Sequence, residues 1–126
     1  MNIKYLYAKL NGCRPDKLAD EKVLVRLLDD ISSEINVHVV KRMSHYYGPG
    51  VSVVFLLAES HISVHTWPEL GFADFEIVSC TGNSDVNKGL EMAAKALGAT
   101  KVDKQISEYK QDVPVINIRK RRESKI

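Results

Sequence analysis

The chain has 126 residues, enough for one domain with a buried core and too few for two. Hydrophobic residues make up 44% and charged residues 27%, and the net charge of +2 supplies no global field with which to hold a polyanion. Two cysteines, Cys13 and Cys80, exclude a disulfide framework and point to reduced thiols in a cytoplasmic setting.

No run approaches the roughly 18 apolar residues of a membrane span, and residues 1–10 alternate lysine with tyrosine and leucine instead of forming a leader's apolar core. Residues 3–10 predict a strand ending at the turn Asn11-Gly12. Residues 16–35 change period. Leu24, Leu27, Leu28, Ile31 and Ile35 fall on one helical face, with Pro15 and Asp16 suited to a helix start. A short strand over 37–40 and a loop over 44–50 follow. Residues 51–58 are apolar apart from Ser52 and predict a strand buried on both faces. In residues 61–65 the polar side chains alternate with Ile62 and Val64, as in a half-buried strand. Residues 72–80 predict another strand, with Ala73, Phe75 and Ile77 on one face. From Ser84 the helical period returns through Val86, Leu90, Ala93, Ala94 and Leu97 and closes at Gly98. A strand over 101–109 completes the order β-α-β-β-β-β-α-β.

That order predicts a single domain of the α+β class: a two-layer sandwich with a mainly antiparallel sheet and two helices on one face. The uncovered face must meet solvent or a partner. The basic run Arg119-Lys120-Arg121-Arg122 reads as a solvated tail. It lacks aromatic partners, so no nucleic-acid contact is expected.

Residues 58–69, Ala-Glu-Ser-His-Ile-Ser-Val-His-Thr-Trp-Pro-Glu, place a polar cluster straight after the apolar strand. A serine hydroxyl can attack the preceding carbonyl, so Glu59-Ser60 is a candidate self-cleavage bond. The segment resembles, without gaps, the cleavage site of the small prokaryotic S-adenosylmethionine decarboxylases, pyruvoyl enzymes that make their own cofactor. The likeness runs from about Tyr46 through Leu97 and more weakly beyond. It implies a β chain of residues 1–59, an α chain of residues 60–126 and a covalent pyruvoyl group derived from Ser60. By position, His65 matches the processing histidine and Ser52 a serine that supports processing. Cys80 matches the proton donor of decarboxylation, Glu69 a glutamate that holds the substrate's ribose, and Tyr46 an aromatic that stacks on its adenine. It also implies a homodimer with the sheets stacked inside and the helices outside. The small-molecule product would be the aminopropyl donor for spermidine synthesis.

Two departures leave the substrate open. Glycine follows Cys80 one place late, in Ser79-Cys80-Thr81-Gly82, and the loop 44–50 is not the usual one. A pyruvoyl decarboxylase of arginine or ornithine on the same scaffold is the alternative. A zinc module built on His45, His61, His65 and Cys80 is disfavoured, because the histidines lie in strand-forming sequence and no Cys-x-x-Cys is present. No metal is expected. A non-catalytic partner subunit would have no use for Glu59-Ser60, His65 and Cys80 together.

Overall fold

The structure, a computed structural model, describes residues 1–80 and 84–112. The basic run 119–122 and the displaced Thr81-Gly82 lie outside the described residues. Strand β1 (Asn2–Asn11) leads through α1 (Pro15–Leu18) and α2 (Glu21–Glu34) to β2 (Val39–Tyr46), β3 (Val51–Leu57) and β4 (His61–Trp67). A 3-10 turn over Pro68–Leu70, β5 (Phe72–Ser79), α3 (Val86–Leu97) and β6 (Lys101–Lys110) complete the order. The six strands form one antiparallel sheet in the order β2-β3-β4-β5-β1-β6.

The expected α+β sandwich is present, with local differences. The single helix expected over 16–35 is two. Asp20 breaks it, because its carboxylate caps the second helix by accepting from the Lys22 and Val23 amides. Strand β2 starts later and runs further than expected, to Tyr46, because its residues pair with all of β3. The loop shrinks to residues 47–50, closed by a bond from Tyr47 N to Gly50 O at 2.9 Å. Strand β5 stops at Ser79 and leaves Cys80 just beyond it.

The core lies between the sheet and the helices. Leu24, Leu28 and Ile31 of α2 and Ala93 and Leu97 of α3 meet Leu6, Phe55, Ile62, Phe75 and Ile77, all fully buried. Gly89 lets α3 come close: a Cβ there would stand 2.6 Å from Ile77 Cδ1. Thr66 faces this layer at zero exposure, donating to the Leu18 carbonyl and accepting from the Val51 amide, which ties α1 to the sheet. An unpaired hydroxyl there would cost about 1–3 kcal/mol.

The opposite face of the sheet carries no helix. It presents Tyr5, Tyr7, Met43, Val54, Leu56 and Tyr109, each exposed by more than a third, so β3 is buried on one face only and not on both as expected, because no helix covers this side. Cross-strand register also aligns one polar row on this face: Lys9, Asp74, His65, Ser52 and His45, from β1 through β5, β4 and β3 to β2.

Candidate active site

Two polar clusters sit at opposite ends of the β3-β4 hairpin. The first surrounds the tight connection of residues 58–60, where the Leu57 amide donates to the Ser60 carbonyl at 2.8 Å. Glu59 is exposed and Ser60 partly so. The Cys80 thiol, delivered from the end of β5, donates to the Glu59 carbonyl oxygen at 3.4 Å. A small cavity of about 150 Å³ opens here, lined by His38, Glu59, Ser60 and Cys80 among others. Burial pushes the Cys80 thiol above its usual range, and the Glu59 carboxylate adds to the rise. The group is therefore held as a thiol at neutral pH, in the form that gives up a proton.

The second cluster lies at the other end. Ser52 and His65 are register partners, and Ser52 Oγ is 2.7 Å from His65 Nδ1. Tyr47 donates its phenolic proton to the Thr66 carbonyl at 2.5 Å and stacks on His45. Its pKa is pushed up by burial and by the charges of Glu69 and Asp74, while a side-chain hydrogen bond with Ser52 opposes the rise. Asp74, opposite His65, is also pushed up by burial. Its other neighbours divide: His65 opposes the rise by its charge and a backbone hydrogen bond, and Glu76 adds to it.

The structure thus brings together Glu59, Ser60 and Cys80, and separately Ser52 and His65, while Glu69 is exposed in the turn after β4. It does not bring His65 to Ser60. Five residues of extended chain at about 3.3 Å each put roughly 16 Å between them. Tyr46 pairs with Val51, whose side chain is buried under the helices, so its register face is the helix side and not that of Ser52. Asp74 is the residue that sequence reasoning passed over, although it was visible as a polar residue alternating with Ala73 and Phe75. Tyr47 was a candidate aromatic together with Tyr46 and Trp67, and nothing local marked it over Tyr46. His61, for which the motif gives no role, bonds Glu76 Oε1 through Nε2 at 2.6 Å. Among the described residues no group of three or more His, Cys, Asp and Glu side chains is arranged to hold a metal ion, and no helix is long and apolar enough to cross a membrane.

Residues 4–108 match the family model described as S-adenosylmethionine decarboxylase. A protein of Pyrobaculum islandicum named S-adenosylmethionine decarboxylase proenzyme is 33% identical over 102 residues, covering 79% of this chain and 82% of its own. One of the same name from Saccharolobus islandicus is 35% identical over 98 residues, covering 78% and 80%. Among solved structures, the adenosylmethionine decarboxylase of Aquifex aeolicus superposes with a TM-score of 0.80 at 27% identity, covering 91% of this chain and 96% of that one.

Proposed function

Since the chain belongs to the S-adenosylmethionine decarboxylase family, we propose that it cleaves its own backbone between Glu59 and Ser60 and then decarboxylates S-adenosylmethionine. The observation that carries this reading is the Cys80 thiol on the Glu59 carbonyl, 21 residues away in sequence and 3.4 Å away in space. A donor at that oxygen stabilises the negative charge that develops when the Ser60 hydroxyl attacks.

The Ser60 oxygen takes the Glu59 acyl group from its own nitrogen, giving an ester. Removal of the Ser60 Cα proton expels residues 1–59 as a carboxylate and leaves dehydroalanine. Water then replaces the nitrogen and ammonia departs, which leaves a pyruvoyl group at the head of residues 60–126. His65 is the proposed base for the Cα proton, and Ser52 supports it.

The separation of Ser60 from His65 gives this scheme a second requirement. A second copy, stacked on the helix-free face with its strands running head to tail, carries its own His65 end to Ser60. The exposed apolar side chains of that face suit such a contact. The working unit is accordingly a homodimer of cleaved protomers.

The residues present fit the cofactor that this chemistry forms, because the thiol meant to return a proton already lies at the scissile peptide. Once formed, the pyruvoyl group supplies the electron sink for loss of CO2. Cys80 protonates the substrate carbon, and its raised pKa keeps that proton in place beforehand. Glu69, exposed in the turn after β4, accepts ribose hydroxyls. Tyr47, and not Tyr46 on the helix-side register, offers aromatic surface to the adenine and to the sulfonium. The names of the matched family and relatives support S-adenosylmethionine over arginine or ornithine.

The test is the intact mass of purified protein. Two fragments are expected, the larger blocked to Edman degradation, while Ser60→Ala stays whole. A wild-type chain that remains full-length after long incubation at neutral pH overturns the cleavage. Release of CO2 from arginine or ornithine, with none from S-adenosylmethionine, overturns the substrate.

A further inference from the structure

We propose that Glu76 is a positioning residue that, through His61, holds the new chain end in place once the Glu59-Ser60 bond is cut. His61 is the first residue of β4 and directly follows Ser60, so the cut makes it the second residue of its fragment. Its Nε2 lies 2.6 Å from Glu76 Oε1, and a carboxylate can only accept, so the hydrogen between them belongs to Nε2. The two are not register partners. His61 stands opposite Val78, and Glu76 opposite Ser63. The bond therefore runs diagonally across the helix-free face and reaches one same-face pair further into the sheet. Glu76 is secured there between two strands, opposite Ser63 of β4 and Tyr7 of β1.

The cut changes what residue 60 hangs from. In the uncut chain it is tied to covalent neighbours on both sides. The Cys80 thiol bonds the Glu59 carbonyl, which belongs to the other fragment after the cut. Ser60 keeps the bond from the Leu57 amide to its own carbonyl at 2.8 Å, and that bond then joins two separate fragments. A strand end without a covalent neighbour frays, because its residues regain the backbone freedom that folding took from them. The His61-Glu76 bond opposes this at the residue where fraying begins. The side chains are 42% and 38% exposed, and at such exposure a pair adds little to global stability. A local equilibrium between a docked and a frayed end needs no more: a few-fold change in population decides how often residue 60 faces Cys80.

The inference rests on cleavage at Glu59-Ser60, and the test compares the pair before and after the cut. Hydrogen exchange of residues 60–67, read by mass spectrometry, should rise about threefold in cleaved Glu76→Ala relative to cleaved wild type. The same substitution in the uncut Ser60→Ala protein should leave it unchanged. Glu76→Gln, which keeps an oxygen to accept from Nε2, should restore most of the protection. The kcat for S-adenosylmethionine in cleaved Glu76→Ala should fall by a similar factor, with KM little changed. A pair that only strengthens the sheet would raise exchange equally in cut and uncut chains, and that result overturns the proposal. Unchanged exchange in cleaved Glu76→Ala overturns it as well, and leaves the decarboxylase reading standing. If Glu76→Ala blocks cleavage itself, the pair acts before the cut and the proposal is wrong. A wild type that never cleaves removes the functional reading and this proposal together.

Discussion

The two ends of the β3-β4 hairpin hold different chemistry. At the connection end, Glu59, Ser60 and Cys80 combine an exposed peptide with a thiol held in its protonated form. At the far end, Ser52 bonds His65, Asp74 stands opposite His65 in register, and Tyr47 bonds the Thr66 carbonyl. In the proposed scheme the first end holds the bond to be cleaved, with His38 lining the cavity beside it, and the second holds the Ser52–His65 pair. If both clusters serve one reaction, strand geometry at about 3.3 Å per residue keeps them apart within one copy, and a second copy is the proposed means of joining them.

The largest effect tests that division directly. Ser60→Ala and His65→Ala proteins should each stay uncut when purified alone. Coexpressed in equal amounts, they should restore cleavage of the His65→Ala chain up to about half, since half its copies pair with a chain that still has His65. Mass spectrometry distinguishes the two chains. No cleavage in the mixed sample would show that each copy works within itself.

The next effect separates processing from turnover at the connection end. Cys80→Ala should still cleave, more slowly, but lose about a hundredfold or more in CO2 release from S-adenosylmethionine. Turnover at the wild-type rate would remove Cys80 from the role of proton donor.

A substitution that touches neither end serves as the reference. Gly89→Ala would drive a methyl to 2.6 Å from Ile77 Cδ1 and 3.1 Å from Ile31 Cγ2. It should destabilise the fold by about 1–3 kcal/mol in urea titration. The rate of cleavage per folded molecule should be unchanged. A selective loss at one end would mean that α3 communicates with that end.

The smallest effect concerns the charge state of Cys80. Its raised pKa means that the thiolate is disfavoured, so alkylation in the uncut Ser60→Ala protein should reach half its full rate at a higher pH than for a small free thiol. Glu59→Gln should lower that pH part of the way and no further, because burial contributes more than the Glu59 charge. Cys13, buried at 4% exposure, should react only on unfolding. A Cys80 that reacts like a free thiol would contradict the raised value.

Much of this molecule could be read along the chain. The apolar spacing of Leu24, Leu28 and Ile31 marked a buried helical face, and Gly98 marked the end of α3, where it stands at a φ of 70°. Both are local patterns that repeat within one turn. Glu59-Ser60 and the residues at fixed offsets from it, His65 and Cys80, were legible because the motif is contiguous or nearly so. What the chain order could not reveal is which residues meet across strands. The pairing of Ser52 with His65, the placement of Asp74 beside it, and the arrival of Cys80 over the Glu59 carbonyl all depend on strand neighbours and register. The same holds for the choice of Tyr47 over Tyr46. In an extended chain adjacent residues face opposite sides of the sheet, and where that alternation begins is set by how β2 pairs with β3. The chemical groups and their spacing along each element were legible in the chain; which groups touch, and which face each strand turns to the helices, came from pairing, because register is a property of pairs of strands and not of either one.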